Sequence, residues 1–410
     1  MSNNFENKFN KFFQQQNLRK KKQLKSIRLD AIFKKVNNFS RTQFKNILIF
    51  LSILFVIIFQ SYIPMRYNSS SDLITYLVNN PTPPFASSPW PWKEHQTIHP
   101  IISSLTPDVE TSIKSVAQYI AQHETDPYLQ VQAIHDYVIS RVTYDLDVLQ
   151  TGIRPSQDAQ TVFVTHKAVC EGYANLFKEL GRAIGLDVVY ITGKIRQDLA
   201  PIDLIPTAFR LLKSNYDWTL HAWNAVKIEG NWQLVDTTWD DTSLKDLYST
   251  DYLMLPPELM IISHLPLIQG WQLLRHSKNY QYFENQPILT PQFFSQGLTM
   301  ISPDEYQTTL EKNAVIELIS LAQEPPKIGA LFSKVNESNF LVWDLLLSNS
   351  SNQHQQLKAC RTQTEYSKIR LYCQFPEPGE YQVLLFSLAP ESHSLNRKIT
   401  RIGQLKFRSL

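Results

Sequence analysis

Two strand-like runs, His221 to Ile228 and Trp232 to Thr238, flank the turn sequence Glu229-Gly230-Asn231, and this hairpin constrains the fold more than any other stretch of the chain. Side chains alternate between the two faces of a strand, so loop length decides which residues of the two runs share a face. With a loop of two or four residues, paired positions sum to an odd number. His221 and Asp236 then point the same way and lie near each other. A three-residue loop without a bulge separates them.

Ahead of the hairpin the apolar pattern has a helical period. Thr106-Pro107 and Asp126-Pro127 each offer a capping side chain followed by proline at the first helical position. Val109, Ile113, Val116 and Ile120 make the apolar stripe of the first helix, and Val131, Ile134, Val138 and Val142 that of the second. A third helix is predicted from Cys170 to near Gly185, burying Tyr173, Leu176, Phe177, Leu180 and Ile184. A further strand signal, Val188 to Ile191, precedes the hairpin. Helices followed by an antiparallel sheet indicate an α+β domain.

Three segments carry chemistry: Ala168-Val-Cys170-Glu171-Gly172-Tyr173-Ala174, His221-Ala-Trp223-Asn224, and Leu234-Val-Asp236-Thr-Thr-Trp239. A thiol attacks carbonyls as thiolate, which a helix N-terminus and a neighbouring imidazole both stabilise. The imidazole in turn needs an acceptor that fixes its tautomer. Cys170, His221 and Asp236 supply nucleophile, base and orienter. The backbone N–H of Cys170 is the candidate oxyanion donor, with the upstream side chains of Gln157 and Gln160 as candidates for a second. Glu171, Tyr173, Trp223 and Trp239, beside the three residues, are assigned to the substrate cleft. Gly172 admits backbone close to the site.

In order and spacing, Cys-Glu-Gly-Tyr-Ala, His-Ala-Trp-Asn and Trp-Gln-Leu-Val-Asp-Thr-Thr-Trp resemble the transglutaminase-like (papain-like cysteine) superfamily over about residues 106–285. Met254-Leu-Pro-Pro-Glu-Leu, His264-Leu-Pro266 and Trp271-Gln-Leu-Leu274 resemble the segment that follows the core in kyphoscoliosis-peptidase-like proteins. The resemblance implies Cys170 as nucleophile, His221 as base and Asp236 as orienter. It also implies a β-sandwich module after the catalytic domain. The superfamily includes peptidases, amidases, cross-linking acyltransferases and forms without known activity, so it narrows the chemistry more than the substrate. The stretch from Gln197 to Trp218 is longer than in the compact pattern, and reads as a surface excursion or as a lid beside His221.

The rest of the chain frames this domain. Residues 1–45 hold twelve Lys or Arg against Glu6 and Asp30, a net of +10, so the remaining residues carry −7 of the overall +3. The basic character therefore belongs to a tail and says nothing about the substrate, and no folded motif supports nucleic-acid binding. Ile47 to Phe59 is apolar apart from Ser52, and with Phe44, Tyr62 and Ile63 the stretch around 46–63 reaches roughly the 20 residues that span a bilayer. It reads as a single transmembrane anchor with the N-terminus cytoplasmic and the catalytic domain extracytoplasmic. A cleaved signal is the alternative, against which stands the poor cleavage sequence Gln-Ser-Tyr-Ile-Pro-Met-Arg66. Residues 64–105, rich in Pro and Ser, read as a linker before the catalytic domain at 106–285.

From 288 to 410, short apolar runs at Ala314–Ile319, Phe340–Trp343, Ile369–Tyr372 and Tyr381–Phe386 suggest a small immunoglobulin-like β-sandwich. Cys360 and Cys373 lie there and form a possible disulfide outside the cytoplasm, leaving Cys170 as the odd thiol. His264, His276 and His354 have no metal-ligand spacing, and no phosphate loop, haem motif or zinc signature occurs. The expectation is a membrane-anchored thiol enzyme acting on a protein or peptide, with no cofactor and no metal. The competing expectation is an idle version of the fold serving as a scaffold. Oligomeric state is left open.

Overall fold

The computed structural model describes residues 88–92, 96–196, 220–241, 248–335, 358–388 and 399–410. The basic tail, the expected anchor 46–63, the stretch Gln197 to Trp218 and the run Phe340–Trp343 lie outside the described residues. No helix among the described residues is long and apolar enough to cross a membrane.

The first helix, α1, spans Ile113–His123, later than the Thr106-Pro107 pair predicts. Thr106 instead closes a turn with Val109, and Ser112 caps the helix in a reciprocal capping box with Ser115. Helix α2, Pro127–Arg141, starts where the sequence indicates: Asp126 accepts from the backbone N–H groups of Tyr128 and Leu129, with Pro127 at the first helical position. A short α3, Ala159–Thr165, precedes α4, Cys170–Ala183, which ends before Gly185. The apolar faces of α1, α2 and α4 meet in one core, with Val116, Ile120, Ile134, Val138, Phe177 and Leu180 fully buried.

Against α4 lies an antiparallel sheet of five strands. In chain order they are β1 (Asp187–Ile195), β2 (Leu220–Ile228), β3 (Asn231–Val235), β4 (Leu253–Leu255) and β5 (His264–Pro266), arranged β4-β3-β2-β1-β5. Ile228 pairs with Asn231 and Asn224 with Val235, so the β2–β3 loop is the two-residue Glu229-Gly230. Both loop residues have positive φ, as a type I′ turn requires, which glycine at 230 adopts without steric cost. This odd-sum register puts His221 and Asp236 on one face. Helix α5, Pro257–Ser263, separates β4 from β5.

The stretch read as a linker, 64–105, differs in its described part. Trp90 and Trp92 donate from their indole nitrogens to the Asp251 carbonyl and to Gln132, and Ile102 is fully buried. Apolar rings and a short helix, Pro100–Ser103, give these residues enough to bury, which Pro and Ser content alone does not reveal.

The C-terminal part is a sandwich of two sheets. One contains Gln307–Leu310, Ile399–Ser409, Gly379–Leu388, Lys327–Lys334 and Lys358–Ala359 in that order, with Ile288–Leu289 paired to the second of these. The other contains Arg361–Glu365, Lys368–Gln374, Asn313–Ser320 and Leu298–Ser302. Alternating residues such as Ile316, Leu318, Ile369, Leu371, Val383 and Leu385 fill the space between them. Cys360 and Cys373 form a disulfide. Ile262 of α5 joins the sandwich core, and the Arg196 guanidinium donates to the carbonyls of Phe283, Glu284 and Gln286, tying β1 to the entry of the sandwich.

Candidate active site

Helix α4 begins at Cys170 without a side-chain cap, its N-cap being Val169. The first-turn amides and the positive end of the helix therefore face the thiol. Three contacts hold the chain entering the helix. Lys167 and Ala168 pair in parallel with Thr143 and Tyr144, and the Val169 N–H donates to Gln157 Oε1 at 2.9 Å. At Gly172 a Cβ would meet the Ala168 Cβ at 2.5 Å and Gln157 Oε1 at 2.8 Å, so only glycine lets the helix start press against its own approach.

The Cys170 side chain packs on Ala174 and on Ala222 of β2, with half-buried Tyr190 beside them. His221, one residue before Ala222, lies beside the thiol, which helps to raise its pKa. Its Nε2 donates to Asp236 Oδ2 at 2.7 Å, which leaves Nδ1 for the sulfur. Asp236 Oδ1 accepts from the backbone N–H groups of Thr238 (2.9 Å) and Trp239 (3.2 Å). A second imidazole, His264 of β5, donates from Nε2 to the same Oδ2 at 2.9 Å. The carboxylate thus receives four hydrogen bonds while almost wholly buried.

The two rings titrate in opposite directions. Burial opposes charge on His221, but Asp236 and Cys170 outweigh it and raise its pKa to about 10. Burial dominates at His264 and, with His221 nearby, holds it down at about 4 despite Asp236. At Asp236 burial favours the neutral acid, and the two histidines overcome this and hold the carboxyl well below the usual carboxylate range. At neutral pH the site is therefore an imidazolium at 221, a carboxylate at 236 and a neutral imidazole at 264.

Several sequence assignments change. Tyr173 is not in a cleft: its ring is fully buried and its hydroxyl donates to Asp241 Oδ2 at 2.7 Å, because position 173 faces the helical core. Trp223 and Trp239, each 1% exposed, pack around the imidazoles instead of lining open space. Glu171 is half-exposed at the helix start and paired with Arg154. Gln160 is exposed on α3. The Gln157 amide is spent on backbone, accepting from Val169 and donating to the Pro155 carbonyl, so it braces the approach to Cys170.

His264 is the residue the spacing argument overlooks. One ligand-type atom from each of His221, Asp236 and His264 lies within 4.8 Å of the others, although no local spacing announces it. His264, read from the sequence as having no metal-ligand spacing, is thus brought in space to a carboxylate and a second histidine. Both Nε2 atoms point at one oxygen at hydrogen-bond distance, so we read the group as a hydrogen-bonded cluster and not as a metal centre.

A helix-borne thiol, a strand-borne imidazole and a hairpin carboxylate in this order define the transglutaminase-like class, and residues 114–237 match the transglutaminase-like superfamily. The chain therefore carries a transglutaminase-like domain close to that of the KY-like proteins, and residues 280–402 match the KY-like immunoglobulin-like domain. It is 28% identical to mouse kyphoscoliosis peptidase over 203 residues, 48% of this chain and 29% of that protein. The human kyphoscoliosis peptidase is 28% identical over 182 residues, 43% of this chain and 26% of the relative. Hillarin of Drosophila melanogaster is 29% identical over 147 residues, 31% of this chain and 17% of its own length. The chain thus spans less than a third of the relatives it matches.

Proposed function

We propose that the protein is a thiol enzyme that cleaves or transfers peptide or isopeptide acyl groups. The observation that carries this is His221, held by Asp236 on one side and facing a thiol at an uncapped helix N-terminus on the other. The thiolate of Cys170 attacks the amide carbonyl, forming a C–S bond and an oxyanion that the Cys170 N–H receives. His221 gives its proton to the leaving amine as the C–N bond breaks, and a thioester remains. Water or a second amine, deprotonated by His221, then takes the acyl group and returns the proton balance.

The mouse and human relatives are named kyphoscoliosis peptidases, which supports the peptidase form of this reading. The apolar segment 46–63 would anchor the enzyme, and the disulfide between Cys360 and Cys373 supports an oxidising, extracytoplasmic side for the folded part.

The test is the pH dependence of iodoacetamide alkylation in the full chain. With the other two cysteines in a disulfide, the reagent reports Cys170 alone. Fast alkylation well below the free-thiol value of about 8.5, slowed in His221→Ala, supports the enzyme. Slow alkylation with an ordinary thiol profile, identical in both proteins, overturns it and leaves a scaffold.

A further inference from the structure

We infer that His264 is a fourth member of the active site, a positioning residue that locks Asp236 and, through it, the His221 ring; this rests on the thiol-enzyme reading above. Asp236 Oδ1 is held by two backbone amides, so the carboxylate can still swing Oδ2 about that fixed end. The only donors to Oδ2 among the described contacts are His221 at 2.7 Å and His264 at 2.9 Å. His221 cannot fix the oxygen it is itself oriented by. His264 can, because its own ring is fixed from every side.

A hydrogen bond, three rings and a backbone pairing fix it. Its Nδ1 lies 2.7 Å from Ser263 Oγ. Trp223, Trp239 and Tyr252 surround the ring at centroid distances of 4.9, 4.4 and 5.6 Å. On the backbone, His264 pairs with Ile195 of β1. The side chain is fully buried.

The tautomer follows from the acceptor. An ionised carboxylate only accepts, so the proton of a neutral His264 must sit on Nε2. Nδ1 is then an acceptor, and the Ser263 hydroxyl donates to it. Every donor in the chain Ser263, His264, Asp236 points toward the carboxylate. The segment after the catalytic core therefore completes the site instead of merely leading to the sandwich.

The experiment compares the full-chain wild type with His264→Gln, which can keep a donor at the Nε2 position, and His264→Phe, which keeps a ring and loses the donor. In folded His264→Phe, alkylation of Cys170 near neutral pH should slow roughly tenfold or more, the scale of one lost hydrogen bond to a charged group. Its basic limb, where His221 loses its proton, should move to lower pH. His264→Gln should recover most of the rate and the limb. A folded Phe variant with the wild-type rate and limbs overturns the proposal.

Should the Phe variant fail to fold, histidine nitrogen resonances of the wild type decide. A neutral Nε2–H tautomer at His264 that persists from pH 5.5 to 8 is the expected result; a ring that titrates near 6.5 overturns it. A wild-type alkylation profile in His221→Ala would instead sink the thiol-enzyme reading itself, a result separable from both.

Discussion

Two buried histidine–carboxylate clusters lie on either side of the short turn Thr237 to Trp239, and they are wired in opposite senses. At Asp236, one carboxylate serves two imidazoles, His221 and His264. At His135, one imidazole serves two carboxylates, donating to Asp136 Oδ1 at 2.9 Å and to Asp240 Oδ2 at 3.3 Å. All three of these residues are fully buried. Burial opposes charge on His135, but the two acids outweigh it and raise its pKa to about 9.

Asp136 and Asp240 are further tied to the backbone N–H groups of His99 and Tyr252 and to the hydroxyls of Tyr248 and Ser249. That cluster joins α2 to the chain beyond the hairpin and reaches no nucleophile. The comparison teaches that charge balance separates a brace from the proposed reactive site. Two acids fix one cation permanently, whereas a single acid shared by two rings leaves one ring charged and one neutral.

The largest separation between the clusters should come from Cys170→Ala. Acyl transfer should fall by roughly 10⁴-fold or more, with unfolding free energy in denaturant nearly unchanged. Next, Asp240→Ala should cost about 3–5 kcal/mol by leaving a buried ion pair half broken, read from urea unfolding. The alkylation limbs of its folded fraction should stay at wild-type pH. If they shift as far as in Asp236→Asn, the two clusters are one network and the comparison fails.

A smaller effect is the pH dependence of stability. His135 has a raised pKa, so its contribution is full below about 6.5 and fades as pH rises through about 9. The loss is on the order of 3 kcal/mol, and His135→Gln should flatten this part of the curve. His264 has the opposite sign. Its depressed value means stability present above about 6.5 is lost as pH falls toward about 4. Denaturant titrations from pH 4 to 10 check both slopes. Smallest, Gly172→Ala should cost about 1–3 kcal/mol through overpacking against Ala168 and slow alkylation, with the His135 slope intact.

Much of this was legible in the residues. The Asp126-Pro127 start of α2 and the start of α4 at Cys170 follow from local rules of capping and period, whereas the sequence left the hairpin loop length open and the pairing of Ile228 with Asn231 settled it. Once the loop length is two, His221 and Asp236 share a face by arithmetic. Misreadings arose where an apolar pattern was interpreted without its partner surface. Tyr173 and Trp239 stand next to functional residues in sequence but turn into the core, and Trp90 and Trp92 sit in a Pro-rich stretch yet dock on the domain.

The residue pattern alone indicated which thiol, imidazole and carboxylate could meet, because they lie on elements whose starts and turns are set by near neighbours. Which further histidine joins them depends on long-range packing. His264 is 28 residues from Asp236, and its approach depends on β5 pairing with β1 across the sheet. No local propensity encodes that pairing. It arises because packing brings strands distant in the chain into register, and a buried carboxylate must then find every donor it needs among the side chains that packing delivers.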